Sequence, residues 1–170
     1  MKKFKILYPQ LYAENFKKVP YDFLWEKGIR NLLFDIDNTL AIFTEEKPSE
    51  EVITFLTSLK NKGFSIAFIS NNGKERVEKF SENLSFYAVY KAGKPRLKGI
   101  NMVLSYLNAK PIETALIGDQ IFTDVWCANR AGVFSILTKP LANRDEFTVK
   151  LKRLPEKVVL KTIEKSHKRK

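Results

Sequence analysis

The sequence predicts an α/β fold in which a parallel sheet of about five strands carries helices on both faces. Three observations lead to it. Apolar runs too short for a helix recur along the chain, stretches with apolar residues at helical spacing lie between them, and each gap between successive strands has room for a helix. Strands that are apolar on both faces are typical of helix-covered sheets. With 170 residues, 44% of them hydrophobic, the chain can bury such a core as a single domain, 1–170.

Strands and helices alternate in a regular order. The first strand is predicted at 29–34, and the later ones at 64–69, 86–90, 115–117 and 133–137. Ser49 is the predicted N-cap of the helix after the first strand, and Gly63 marks its end. Apolar residues at helical spacing mark two further helices, the first by Val77, Phe80 and Leu84 and the second by Leu97, Ile100, Leu104 and Leu107. Another helix is predicted over 121–131. The order is that of a Rossmann-like parallel sheet.

Two segments flank the predicted core, 29–140. Residues 1–28 combine lysines with many aromatic side chains, which favours a flap packed on the sheet edge or, alternatively, contact with a membrane surface. Residues 141–170 contain ten Lys or Arg and four Asp or Glu, so their net charge is +6. Apolar residues at helical spacing predict that this tail is helical. It either docks with a solvated basic face or binds a polyanion.

Composition excludes several classes of protein. The net charge of +11 and the pI near 9.7 favour phosphorylated ligands, nucleic acid or an anionic membrane. Cys127 is the only cysteine, so an intramolecular disulfide is excluded. His167 is the only histidine and lies in the basic tail, so histidine catalysis is excluded as well. No apolar stretch reaches the roughly 18 residues that span a bilayer, and the N-terminus lacks a secretory signal pattern. The sequence predicts a cytoplasmic protein able to associate peripherally with a membrane.

Polar residues follow the first four predicted strands. Parallel strands place their carboxyl ends at the same edge of a sheet, so these side chains should converge. An isolated pair of acids one residue apart would more simply end a strand. Four such groups in order instead indicate phosphoryl chemistry, in which carboxylates bind Mg²⁺ while a hydroxyl and an ammonium bind phosphate oxygens. The groups are Asp35 with Asp37, Ser70 with Asn71, Lys94, and Asp119 with Asp124.

These motifs resemble those of the haloacid dehalogenase-like (HAD) hydrolases. The resemblance covers about 31–139 and rests on Asp35-Ile36-Asp37-Asn38-Thr39, Ser70, Lys94 and Gly118-Asp119 with Asp124. Within that superfamily the chain is most similar to subclass IIIA, the YqeG-like proteins and the mitochondrial phosphatidylglycerophosphate phosphatases. The residues that carry this closer similarity are 118–125, Asn129-Arg130 and Pro9-Gln10-Leu11-Tyr12. Trp126-Cys127-Ala128 departs from the small residues expected there.

The resemblance implies a role for each site residue. Asp35 would be the nucleophile that forms an aspartyl-phosphate, and Asp37 the general acid and then the general base. Mg²⁺ would be bound by Asp35, Asp119 and the backbone carbonyl of Asp37. Asp124 would bind it directly or through water. Ser70, Asn71 and Lys94 would bind the phosphoryl oxygens.

The resemblance also bears on the substrate. HAD enzymes insert a cap domain after the first or the third strand, and neither 41–48 nor the gap between Tyr90 and Lys94 has room for one. The expected function is a capless, Mg²⁺-dependent phosphatase acting on a phosphate monoester, with phosphatidylglycerophosphate at a membrane surface as the leading substrate. A soluble or nucleic-acid phosphate ester is the alternative, and a catalytically silent polyanion-binding module is a third interpretation. The sequence does not set the oligomeric state.

Overall fold

The computed structural model describes residues 6–141, which contain a six-stranded, entirely parallel sheet. Its strands are β1 (Leu11–Ala13), β2 (Asn31–Phe34), β3 (Ser65–Ile69), β4 (Tyr87–Val89), β5 (Thr114–Gly118) and β6 (Phe134–Thr138). The order across the sheet is β1-β6-β5-β2-β3-β4. The helices are α1 (Tyr21–Glu26), α2 (Glu50–Asn61), α3 (Lys74–Ser81), α4 (Lys98–Tyr106) and α5 (Trp126–Ala131). The predicted α/β class is confirmed.

Helices cover both faces of the sheet, as predicted. Leu32 and Phe34 of β2 point into one apolar cluster, which also holds buried residues of α1, α2 and α3. Leu33 points into a second cluster with residues of α4 and α5, among them Cys127. The side chains of these three residues are 0% exposed. Because successive residues of a strand face opposite sides, these three residues are apolar on both faces of the sheet.

The predicted strand count was one too low. The additional strand, β1, is an edge strand that pairs with β6 in the register Leu11↔Ile136. Gln10 reinforces the pairing, because its N–H donates to the Ser135 carbonyl at 3.0 Å and its side-chain oxygen accepts the Ser135 N–H at 2.9 Å. Only three residues long and half-exposed, β1 lacks the buried apolar run that marks the inner strands.

The aromatic residues that follow β1 pack against α2 and against Phe64, the residue before β3. Phe16 meets Phe55 edge-on at 5.1 Å between ring centroids, and Trp25 meets Phe64 in the same way at 5.1 Å. This arrangement agrees with the predicted flap. Contact of the segment with a membrane stays a prediction. Residues 1–5 and the basic tail, 142–170, lie outside the described part of the chain.

Most predicted boundaries agree with the structure to within two residues, but the helix predicted over 121–131 is divided. A π-helical turn, Ile121–Val125, precedes α5, and within it the N–H groups of Asp124 and Val125 both donate to the Gln120 carbonyl. Such widened turns occur often at functional sites. Gly132 ends α5 in the left-handed conformation, φ 72°. Ser49 caps α2 by accepting the Val52 N–H at 3.3 Å, as predicted.

The segments where a cap would be inserted are short. Residues 35–49 connect β2 to α2, and residues 90–97 connect β4 to α4. Neither holds an inserted domain, so the prediction of a capless fold is confirmed. Within 6–141, the structure contains no helix long and apolar enough to cross a bilayer.

Candidate active site

The predicted site residues lie at the carboxyl edge of the sheet. Asp35 directly follows β2, Asp119 directly follows β5, and Asp124 lies in the π-helical turn. Because Phe34 is in register with Ile117 on one side and Phe68 on the other, the ends of β2, β5 and β3 are adjacent. The parallel topology therefore brings together residues up to 89 positions apart, from Asp35 to Asp124.

Lys94 is the centre of the buried charge network. Its ammonium donates to Asp35 Oδ1 at 2.7 Å, to Asp124 Oδ1 at 2.6 Å and to the Ile69 carbonyl at 2.8 Å. Its side chain is only 2% exposed. Burial lowers the pKa of Lys94, but the charges of Asp124 and Asp35 and their hydrogen bonds outweigh burial and raise it above its ordinary value. The ammonium is therefore a permanent positive charge beside Asp35.

Asp35 is held between opposing influences. Burial raises the pKa of this carboxyl to about 7, with Lys94 opposing the shift and Asp124 adding to it. Its side chain is 9% exposed, which leaves access from the open edge of the sheet. A carboxylate that is poorly hydrated and held by a fixed cation is suited to attack an electrophile that reaches it.

Three buried carboxylates form a group that could hold a metal ion. One oxygen from each of Asp35, Asp119 and Asp124 lies within 4.8 Å of the others. Hard oxygen ligands of this kind suit Mg²⁺ or another divalent cation. Asp124 already accepts hydrogen bonds at both oxygens, from Lys94 at 2.6 Å and from the Gln120 N–H at 3.1 Å.

Gly118 makes room for Asp124. A Cβ at position 118 would overlap the carboxyl group of Asp124. The close approach of the π-helical turn to the end of β5 thus requires glycine here. This geometry explains why glycine precedes Asp119 at the end of the strand.

Ser70 and Asn71 follow β3, but their side chains have different surroundings. Ser70 is 1% exposed and its hydroxyl oxygen accepts the Asn72 N–H at 3.0 Å. The Asn71 amide pairs with the backbone of Lys94 in both directions, accepting its N–H at 2.7 Å and donating to its carbonyl at 2.9 Å. Asn71 therefore fixes the loop that carries Lys94. The phosphate-binding role of Ser70 and Asn71 stays a prediction.

Asp37 is separate from the three-carboxylate group. Arg76 donates from Nε to its Oδ1 at 3.1 Å, and Asn72 donates from Nδ2 to its Oδ2 at 3.1 Å. Sequence reasoning missed both Arg76 and Asn72. Asn72 had a signal, since it directly follows Ser70 and Asn71 at a strand end. Arg76 had none, because one basic residue in the first turn of a helix is common on protein surfaces.

Comparisons with known proteins place the chain among phosphatases. Residues 1–141 match the family described as mitochondrial PGP phosphatase. The chain is 31% identical over 161 residues to the protein described as probable phosphatase YqeG of Bacillus subtilis, covering 95% of this chain and 94% of that one. It is 25% identical to the phosphatidylglycerophosphate phosphatase 1 of Arabidopsis thaliana, covering 90% of this chain and 47% of that one.

A similarity to a solved structure supports the fold. A Bacteroides fragilis protein described as a haloacid dehalogenase-like hydrolase superposes with a TM-score of 0.53 at 19% identity, covering 71% of this chain and 93% of that one. At this level of identity the superposition speaks for the architecture alone.

Proposed function

Because this chain belongs to the family described as mitochondrial PGP phosphatase, we propose that it hydrolyses a phosphate monoester with Asp35 as the nucleophile. The family membership confirms the predicted resemblance to the YqeG-like HAD hydrolases. The observation that carries the proposal is the convergence of one permanent cation, Lys94, with Asp35, Asp119 and Asp124 at one edge of the sheet. A silent polyanion-binding module would have no need to bury these charges together.

The proposed reaction has two steps. An Asp35 oxygen attacks phosphorus while the bond to the leaving alkoxide breaks and Asp37 gives that oxygen a proton, which leaves an aspartyl-phosphate. Water then attacks phosphorus, Asp37 takes its proton, and the bond to Asp35 breaks to release inorganic phosphate. Lys94, 2.7 Å from Asp35 Oδ1, offsets the negative charge that builds up around phosphorus, and the Ser70 hydroxyl and the end of β3 orient the phosphoryl oxygens.

We assign the metal site to Asp35, Asp119 and the backbone carbonyl of Asp37. The donor set fits Mg²⁺, which would supply positive charge to the phosphoryl group. Asp124 acts through water in this assignment, since both of its oxygens already accept hydrogen bonds. The Asp37 carboxylate, held by Arg76 and Asn72, is kept for proton transfer.

Mg²⁺ is expected to stabilise the fold more at pH 8 than at pH 5. Burial raises the pKa of Asp35 to about 7 in the metal-free protein, whereas the unfolded chain has the ordinary value near 3.8. Between these values the folded state holds an extra proton, so this group's contribution to stability is lost as pH rises toward 7. Metal needs the ionised form, so the gain from Mg²⁺ grows over the same range. Thermal unfolding at pH 5 and pH 8, with Mg²⁺ or with chelator, measures the stabilisation by Mg²⁺ at each pH.

Asp119→Ala is the test of the ligand assignment in that experiment. It removes one oxygen donor and should abolish most of the Mg²⁺-dependent rise in melting temperature at pH 8. Asp22→Ala, an exposed acid on α1 that pairs with Lys62, should leave the rise intact. An equal stabilisation by Mg²⁺ at pH 5 and pH 8 would contradict the role of Asp35.

We propose a phospholipid monoester, phosphatidylglycerophosphate, as the substrate. The names of the family and of the Arabidopsis relative point to it, and the uncapped edge leaves space for a head group still attached to a bilayer. Phe43, 59% exposed, lies in the loop after Asp37, and the half-exposed Leu141 donates its N–H to the Asn38 carbonyl at 2.9 Å. Leu141, which precedes the basic segment 142–170 of net charge +6 in the sequence, thus contacts the loop that contains Asp37. A soluble or nucleic-acid phosphate ester is the second candidate.

The function is tested by phosphate release from a panel of substrates with and without Mg²⁺. Phosphatidylglycerophosphate in mixed vesicles should be hydrolysed faster than sugar phosphates, nucleotides or a 5′-phosphorylated oligonucleotide. A preference for the oligonucleotide would support the second candidate. If the protein turns over none of them, it is the silent binding module.

Anionic vesicles are expected to bind the protein more strongly than neutral vesicles, and binding should weaken as salt rises. Each Lys or Arg near such a surface contributes about 1 kcal/mol, screened within roughly a Debye length. Removing residues 156–170 should weaken co-sedimentation without changing turnover of a small soluble ester. Phe43→Ser should weaken it as well. At the same ionic strength, stronger binding to RNA or DNA than to anionic vesicles would contradict a membrane role.

Ile112→Ser is the matched control for Phe43. Ile112 is 78% exposed and lies in the turn Pro111–Glu113 that precedes β5, at the opposite edge of the sheet from the site. An equal loss of vesicle binding in both variants would mean that the carboxyl edge does not face the membrane.

A further inference from the structure

Arg76 makes contacts that the proposed reaction has not used. Its Nε donates to Asp37 Oδ1 at 3.1 Å, and its Nη2 lies 3.0 Å from the same oxygen as an ion-pair contact without hydrogen-bond alignment. Its Nη1 donates to the Glu46 carbonyl at 3.0 Å, and its guanidinium lies 5.6 Å from the centre of the buried Phe80 ring. One side chain therefore connects α3, the loop between β2 and α2, and Asp37.

These contacts differ from the other ion pairs of α3. The Arg76 and Asp37 side chains are 12% and 19% exposed, whereas Lys79 and its partners Glu46 and Glu75 are 42%, 66% and 84% exposed. Exposed pairs contribute little, because solvent screens them and both side chains lose freedom when they pair. Arg76 is restrained at several points and its guanidinium is planar, so it can hold a carboxylate in a single orientation.

The other oxygen of Asp37 is also held. Asn72, which follows the end of β3, donates to Oδ2 at 3.1 Å. The two donors come from different elements and reach the carboxylate at different oxygens. Rotation of the Asp37 side chain would break both contacts. The orientation of Asp37 is thus set by residues 35 and 39 positions away in the sequence.

We propose that Arg76 is a positioning residue that holds Asp37 in the orientation needed to protonate the leaving group and to activate water. The inference rests on the proposed function of Asp37 and adds a residue that no motif marks. Proton transfer depends on geometry, and a displacement of about 1 Å can cost on the order of a hundredfold in rate. The contacts described for Arg76 are with the Asp37 carboxylate, the Glu46 carbonyl and the Phe80 ring, so we expect its loss to change metal binding little.

Arg76→Ala is expected to lower kcat by about tenfold to a hundredfold while KM and the Mg²⁺ concentration for half-maximal activity change by less than about threefold. Arg76→Lys keeps the positive charge but not the planar guanidinium, so its kcat should lie between that of the wild type and that of Arg76→Ala. Lys79→Ala is the matched control: it removes a cation that pairs with Glu46 from the same helix without contacting Asp37, and should keep wild-type kcat. Circular dichroism and melting temperature check that each variant is folded.

A double-mutant cycle separates positioning from a purely structural role. If Arg76 acts through Asp37, Arg76→Ala should cost almost nothing further in Asp37→Asn, measured by single-turnover phosphate release. Losses that multiply would overturn this inference, as would an unchanged kcat in Arg76→Ala. If Arg76→Ala unfolds, the same cycle is run with Arg76→Lys. Failure of the proposed function looks different, because Asp37→Asn would then keep wild-type turnover.

Discussion

Asp35→Asn is expected to reduce phosphate release by on the order of 10⁴-fold or more while the protein stays folded, since removal of a covalent nucleophile has effects of this size. The amide cannot form the aspartyl-phosphate, and it no longer attracts the Lys94 ammonium 2.7 Å away. Steady-state phosphate release at pH 7 with Mg²⁺ measures the loss. Acid quenching of the wild type with labelled substrate should trap a phosphorylated chain, and Asp35→Asn should trap none.

Asp22→Asn is the matched control for this substitution. Asp22 is an exposed acid on α1 whose partner is Lys62, and neither residue belongs to the site. Its variant should keep wild-type turnover. The nucleophile assignment fails if Asp35→Asn releases phosphate at the wild-type rate, or if the labelled wild-type chain carries its phosphate elsewhere.

Lys94→Met is expected to destabilise the metal-free protein by about 3–5 kcal/mol at pH 8, because it leaves Asp35 and Asp124 buried without their counter-charge. The loss should shrink toward pH 5. Burial already raises the pKa of Asp35 to about 7 despite the opposing Lys94, and removing Lys94 raises it further. Protonation at low pH then relieves the repulsion with Asp124. Urea unfolding at pH 5 and pH 8 with chelator measures both effects.

Two additions make the test specific. Mg²⁺ should restore part of the stability of Lys94→Met at pH 8, because a bound cation replaces the missing charge. Lys110→Met removes an exposed lysine that pairs with Glu113 and should change little at either pH. A Lys94→Met variant with wild-type stability at pH 8 would show that the carboxylates do not depend on this ammonium.

The local sequence contained most of the fold. Strand residues buried on both faces of a sheet are mostly apolar, so β2 and β3 were marked by the short apolar runs Leu32–Phe34 and Ile66–Ile69. Ser49 marks the start of a helix because its side chain caps it, and Gly132 marks the end of another because glycine readily adopts the left-handed conformation. The edge strand β1 was not predicted, because it is short and half-exposed and pairs with a strand more than 120 residues away.

The grouping of the site residues could also be predicted, since it depends on residue type and on position at the end of a strand. Parallel topology brings those ends to one edge whatever the connecting loops do, so Asp35, Lys94 and Asp119 could be grouped before any coordinates. Their roles as nucleophile, phosphate ligand and metal ligand were implied by the resemblance and are now proposals with tests. The contacts between these side chains could not be predicted.

What only the tertiary structure decided is which side chain holds which. It pairs the Asn71 amide with the backbone of Lys94, 23 positions away, and Arg76 with Asp37, 39 positions away. It also widens one turn so that Asp124 reaches Lys94 over Gly118. Such contacts depend on loop closure and on the reach and direction of individual side chains. No local sequence pattern encodes these contacts, whereas burial and strand ends can be predicted from the order of apolar and polar residues.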